Sequence, residues 1–199
     1  MSSSYPTPAA SVETKTEVKK SRFIARAAKV VDRQAALALV EKAKQDYPDA
    51  RHHCWAYMLG NPASASSAAA NDAGEPSGTA GKPILNVIQH KGVGDVLLVV
   101  IRYFGGIKLG AGGLVRAYSG AAEAAMTMLP LEQAVPMQEI KLSFDFAKEQ
   151  LLRHWAEQHE AQVLHVDYSQ QVVMSVNVPD VVMVELTAFC AAQSIKRLP

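Results

Sequence analysis

Cysteine is scarce in this chain: 199 residues hold two, Cys54 and Cys190, and neither has a partner at CxxC spacing. That excludes a disulfide framework and a thiolate zinc site, and both thiols read as packed side chains. Net charge is nearly absent too. With 20 Lys+Arg against 19 Asp+Glu the formal charge is +1, so no whole-molecule field drives binding to nucleic acid or an anionic membrane. Any anion site must be local. Long apolar runs are missing, since the longest, six residues as at 54–59 and 96–101, fall far short of the roughly 20 residues that span a bilayer. The first residues have no basic n-region and no apolar h-region, so no secretory signal is expected and the cytoplasm is the expected location. What the chain does have is a 49% hydrophobic composition, enough to bury the core of one large domain or two small ones.

Residues 1–11 carry no periodicity and read as a disordered tail. Residues 12–31 form short extended segments dense in cations (Lys15, Lys19, Lys20, Arg22, Arg26, Lys29), a hairpin with its turn at Lys20-Ser21. Asp32 can cap a helix whose stripe is Ala36, Leu39, Val40 and Ala43, closed by Tyr47-Pro48. Residues 52–59 read as a strand. Residues 61–81, mostly Ala, Ser, Gly, Asn and Pro, read as a long loop, the most mobile internal segment and the first place to look for function. Pro83 suits the first turn of a short helix over 84–89. Residues 95–104 are almost wholly apolar, the pattern of a central strand buried on both faces. Gly105-Gly106 breaks that strand, and a helix follows with the stripe Leu114, Tyr118, Ala121, Ala122, Ala125 and Leu129. Pro130 and Pro136 bracket a linker. Beyond it the order β-α-β-β-α, with a stub at 195–198, predicts a ferredoxin-like plait whose last strand is short. The expected fold class is α/β (α+β), in two domains, 12–130 and 136–199.

Two groups of residues carry chemistry. Gly105, Gly106, Gly110, Gly112 and Gly113 lie between a buried strand and a helix N-terminus, where bare backbone N–H groups favour an anion. Arg102, Lys108 and Arg116 add charge around them, and the three are expected to converge with Glu75 on one cleft. The competing reading is tight strand-to-helix packing, with the cations facing water. Neither a Walker A loop nor GxGxxG fits the sequence, so no nucleotide cofactor is expected. The second group is a candidate cleft of His52, His53, Asp72, Glu75, Ser77, Thr79 and Lys82. Adjacent strand residues point to opposite faces, so only one of the two histidines faces that cleft, and the ligand count for a metal is too small. No catalytic residue is assigned. Ser77 and Thr79 suit either a phosphate or a turn around Gly78.

The segments NDAGEPSGTAGKP at 71–83 and VIRYFGGIKLGAGGLVRAY at 100–118, with RHHC at 51–54 before them, resemble the YigZ/IMPACT family. The resemblance implies an N-terminal domain like the second domain of the fifth small-subunit ribosomal protein. It also implies a C-terminal domain similar to the last domain of elongation factor G. Eukaryotic members regulate translation by competing for the activator of a starvation-sensing kinase, through an additional N-terminal domain that is not expected in this chain. The reading that follows is a cytosolic translation-linked regulator that binds RNA or a ribosomal phosphate surface, with a protein partner in translation control as a further expectation. One alternative is an enzyme for a small phosphorylated or anionic substrate, with Glu75 as acid or base. Another is a protein-interaction module that uses the open edge of the plait.

Overall fold

A computed structural model describes residues 4–199, which divide into two compact units, one of residues 5–134 and one built on residues 135–199. The first contains β1 (Tyr5–Pro8), β2 (Val12–Val18), β3 (Ser21–Lys29), α1 (Arg33–Asp46), β4 (His52–Leu59), β5 (Ser67–Asn71), α2 (Gly81–Lys91), β6 (Val96–Tyr103), α3 (Ala111–Met128) and β7 (Leu131–Ala134). Its main sheet has the order β2-β3-β6-β4-β5.

The apolar run of β6 is central, as its composition requires. Val96, Leu98 and Val100 pack with Ile84, Ile88, Leu114 and Tyr118 of α2 and α3. Leu97, Val99 and Ile101 pack with Ala36, Val40 and Ala43 of α1. Burial of each Val, Leu or Ile side chain here contributes about 1.5–3 kcal/mol. The sheet is antiparallel throughout, not the parallel kind that unbroken apolar strands usually mark. The tendency of ligands to collect at the carboxyl ends of parallel strands therefore gives no guidance here. Asp32 caps α1 as its sequence position suggests, with Oδ1 accepting from Ala35 N at 2.7 Å.

Four expectations for this unit need correction. Residues 5–8 are a strand, not a disordered tail: β1 pairs with β7, Thr7 is fully buried, and the Tyr5 hydroxyl donates to Asp95 Oδ2 at 2.8 Å. The rest of that tail, residues 1–3, lies outside the described residues. The same ladder takes up residues 131–134, placed by the sequence reading in the linker. The segment 61–81 is not one loop, because it holds a short 3₁₀ turn (Pro62–Ser64) and β5, paired with β4. Finally, the β2–β3 turn is Lys19-Lys20, one residue earlier than expected, with both lysines at positive φ.

The second unit contains β8 (Met137–Phe144), α4 (Glu149–Gln158), β9 (Gln162–Tyr168), β10 (Val172–Pro179), α5 (Met183–Ala192) and β11 (Lys196–Leu198). Its sheet order, β11-β8-β10-β9, is that of a ferredoxin-like plait. Alternate residues Ile140, Leu142 and Phe144 of β8 and Val172, Met174, Val176 and Val178 of β10 meet Leu152 and Trp155 of α4 and Leu186 of α5. Both helices thus cover one sheet face. The last strand is short but in place, paired with residues 141–143 of β8.

Candidate functional site

The period-two alternation of β6 puts Arg102 on the α2–α3 face of the sheet, and the stripe of α3 brings Tyr118 to that same face. Both meet Glu75. Glu75 Oε1 accepts from an Arg102 terminal nitrogen at 2.6 Å and from the Tyr118 hydroxyl at 2.8 Å. The Arg102 and Glu75 side chains are 7% and 4% exposed. The rings of Phe23 and Phe104 lie 5.7 and 5.6 Å from the guanidinium, and Phe23 meets Tyr118 edge-on. His52 completes the cluster. Its Nδ1 is 3.0 Å from the Ala73 carbonyl oxygen and its Nε2 is 4.0 Å from Glu75 Oε1.

Cys54 lies beneath. Its thiol donates to the Asp72 carbonyl at 2.9 Å, and its Sγ is 3.3 Å from the Tyr118 hydroxyl. Burial, with the charges of Glu75 and Asp72 adding to it, pushes the thiol up to about 12. It stays protonated at neutral pH, so it is a packing group and not a nucleophile. Burial also raises Tyr118 above the ordinary phenol value, with Cys54 and Glu75 reinforcing it. His53 points away from this cluster, as alternation requires. It is 7% exposed, with Nε2 unpartnered, and burial lowers its pKa.

The loop that delivers Glu75 closes on Asp72. Asp72 Oδ2 accepts from Gly78 N at 2.8 Å, and Oδ1 accepts from Ala80 N at 3.0 Å and Gly81 N at 2.8 Å. Burial works to raise this carboxyl, but the three backbone donors prevail and hold it below the usual carboxylate value. Asp72 therefore caps α2 from a distance, where Ala80, the residue at the cap position, cannot. Thr79 is buried and its hydroxyl donates to the Pro76 carbonyl at 2.6 Å, the turn-forming role. Ser77 and Lys82 are exposed.

The glycine turn divides by role. A Cβ at Gly105 would overlap the Lys20-Ser21 backbone, and Gly105 N donates to Ser21 Oγ at 3.2 Å. Gly105 is thus a packing glycine with its donor already used. Gly106 and Gly110 have positive φ, and Gly112 and Gly113 lie in the first turn of α3, which has no side-chain cap. Lys19 and Arg116 line one cleft of about 290 Å³ with Val18, Leu109, Gly113 and Ala117. Lys19, Lys20, Lys108 and Arg116 are exposed and, among the described residues, make no ion pair.

Of the three cations expected to converge on Glu75, only Arg102 does so. Arg102 is inside with Glu75, Arg116 lines an outer cleft with Lys19, and Lys108 is exposed on the adjoining turn. Sequence reasoning missed Tyr118, Phe23 and Lys19 as site residues. Tyr118 was counted as apolar, although a buried phenol needs a partner for its hydroxyl, which is the signal that could have found it. Among the described residues no three His, Cys, Asp or Glu are grouped to hold a metal ion, and no helix is long and apolar enough to cross a membrane.

Residues 19–126 match the family model of the Impact N-terminal domain, and residues 142–193 match that of a domain of unknown function, DUF1949. The IMPACT family member YigZ of Escherichia coli is 38% identical over 185 residues, 93% of this chain and 91% of its own. An IMPACT family member of Haemophilus influenzae is 39% identical over 160 residues, 80% of this chain and 78% of that protein. A crystal structure of a hypothetical protein is similar with a TM-score of 0.81 at 37% identity, covering 98% of this chain and 96% of that one.

Proposed function

This chain belongs to the IMPACT family, and from that premise we propose that it is a cytosolic, translation-linked regulatory protein that binds the phosphate surface of RNA or the ribosome. The observation that carries the reading is the group of Lys19 and Lys20 on the β2–β3 turn, Lys108 on the adjoining turn and Arg116 in the first turns of α3, four exposed cations without ion pairs beside the uncapped start of that helix. Other cations of the unit are either neutralised, as Arg26 is by Glu13 and Asp46, Lys29 by Glu132 and Lys91 by Glu123, or, like Arg22, Arg33, Arg51 and Lys82, exposed without an ion pair on other segments. The four are set apart by lying on neighbouring segments, with Gly105 against Lys20 and with Lys19 and Arg116 in one cleft. In a chain of net charge +1, a local surplus of this kind is what attracts a polyanion. The enzyme reading has less support, because the Glu75 carboxylate is buried and engaged by Arg102 and Tyr118.

The test is fluorescence anisotropy with a short single-stranded RNA over a range of salt concentrations. The variant K19A/K20A/K108A/R116A should weaken binding by at least about tenfold and flatten the slope of log K against log salt by up to about 3, since each single-strand contact contributes about 0.7. Equal affinity and equal slope for the two proteins would overturn the reading.

A further inference from the structure

Among the described residues Arg102 is the one lysine or arginine that is buried. A guanidinium has five N–H donors, and taking it out of water is costly unless they find partners. Here its partner is one oxygen of one carboxylate, Glu75 Oε1, while its Nε is buried with no partner at all. The same Oε1 takes the Tyr118 hydroxyl and faces His52 Nε2 at 4.0 Å. Arg102, Tyr118 and His52 thus surround the position of a single oxyanion. They are braced from behind, Arg102 by the rings of Phe23 and Phe104, Tyr118 by Phe23, and His52 by the Ala73 carbonyl.

What fills that position comes from a loop that also touches His52 through Ala73 but whose closure rests elsewhere. The turn over residues 72–81 is closed by Asp72, through the N–H groups of Gly78, Ala80 and Gly81. The residues on either side of Glu75, Gly74 and Pro76, are exposed, as are Ser77 and Gly78. Glu75 is therefore an inward side chain on a segment, 74–78, that is otherwise exposed, within a turn whose closure has its own anchor.

We propose that Arg102, Tyr118 and His52 form a binding site for the oxyanion of a ligand, a carboxylate or a phosphate group, and that Glu75 is its built-in competitor. The ligand anion enters as the Glu75 carboxylate swings out on its loop. The exchange replaces one anion by another, so the buried guanidinium never stands unpaired. An anion that bridges two guanidinium nitrogens also supplies the partner that Nε lacks, which Glu75 does not. This site is separate from the outer basic turns and does not rest on their role.

The experiment uses the full chain with inorganic phosphate and with acetate as probes, and chloride at matched ionic strength as the control. In the unsubstituted protein the effective probe should speed hydrogen exchange at residues 73–78, because Glu75 is expelled, whereas chloride should not. Glu75→Ala should bind that probe at least about tenfold more tightly by titration calorimetry, and Arg102→Met in the same background should abolish the gain. Glu75→Gln keeps the shape of the side chain and should move affinity in the same direction by less, which covers the case in which Glu75→Ala does not fold. A response to phosphate alone assigns a phosphate-bearing ligand, and a response to acetate alone a carboxylate. If neither Glu75 variant binds either probe better than the parent, or if the gain survives Arg102→Met, the site does not exist.

Discussion

The two units cover an antiparallel sheet by different means. In the plait, α4 and α5 lie on one face over a core of Leu, Ile, Val, Phe, Trp and Met side chains, and no ion pair is buried there among the described residues. In the N-terminal unit both sheet faces are covered, and a charged pair with a tyrosine and a thiol is set into one of the two cores. An apolar core is the simpler way to stabilise a sheet, and a buried ion pair is a weak contributor to stability compared with packed hydrophobic side chains. The difference teaches that packing alone is enough to cover a sheet of this size, so the Arg102–Glu75 pair is not something that the stability of the N-terminal sheet requires.

That contrast is sharpened most by Arg102→Met, which leaves Glu75 buried without its cation and should cost about 3–5 kcal/mol in denaturant unfolding. The double variant R102M/E75L should recover most of the loss. If Arg102→Met alone were neutral, the pair would be less buried than described. Next in size, Leu142→Ala in the plait should cost about 3 kcal/mol. Hydrogen exchange should then rise within residues 137–198 more than within residues 5–134, and an equal rise throughout would mean that the two units unfold as one.

Asp72→Ala should cost about 1–2 kcal/mol by removing the remote cap of α2. Its effect depends on pH in a definite sense. The folded state holds Asp72 below the usual carboxylate value, so as pH falls the unfolded chain takes up this proton first. The stabilisation is complete above about pH 4 and is lost as the pH falls through the folded-state value. The stability of Asp72→Ala should therefore fall less steeply than that of the parent below about pH 4. A parallel fall would remove Asp72 from that role. Smallest of all, Lys108→Ala and Arg116→Ala should each change stability by less than about 0.5 kcal/mol, since both are exposed and unpaired. A larger loss in thermal unfolding would show that they hold the fold and are not free for a ligand.

Most of the fold was legible wherever side-chain burial left a period in the sequence. The apolar run of β6, the Asp32 cap of α1, the strand over residues 52–59 and the alternation in β8 are of this kind. What was illegible is held by backbone. β1, β5 and β7 are short, and β5 is built largely of alanine, so their ladders leave no pattern in residue type. The candidate site was legible in its residue list and not in its grouping. Arg102, Lys108 and Arg116 are close in sequence, but β6 buries the first while the turn and α3 expose the others. The glycine pattern that suggests an anion turn also serves close packing, and at Gly105 packing accounts for it.

The β1–β7 ladder sets Tyr5 opposite Ala134 and Pro8 opposite Leu131, so the N-terminal unit begins and ends at the same place. Joining those two ends by a short linker and opening the chain at the exposed residues 63–65 would give a circularly permuted unit with every other ladder intact. A module with touching ends connects to the rest of a chain at a single seam. Such a unit can be carried between proteins, or set within another domain, without any change to the path of its own backbone.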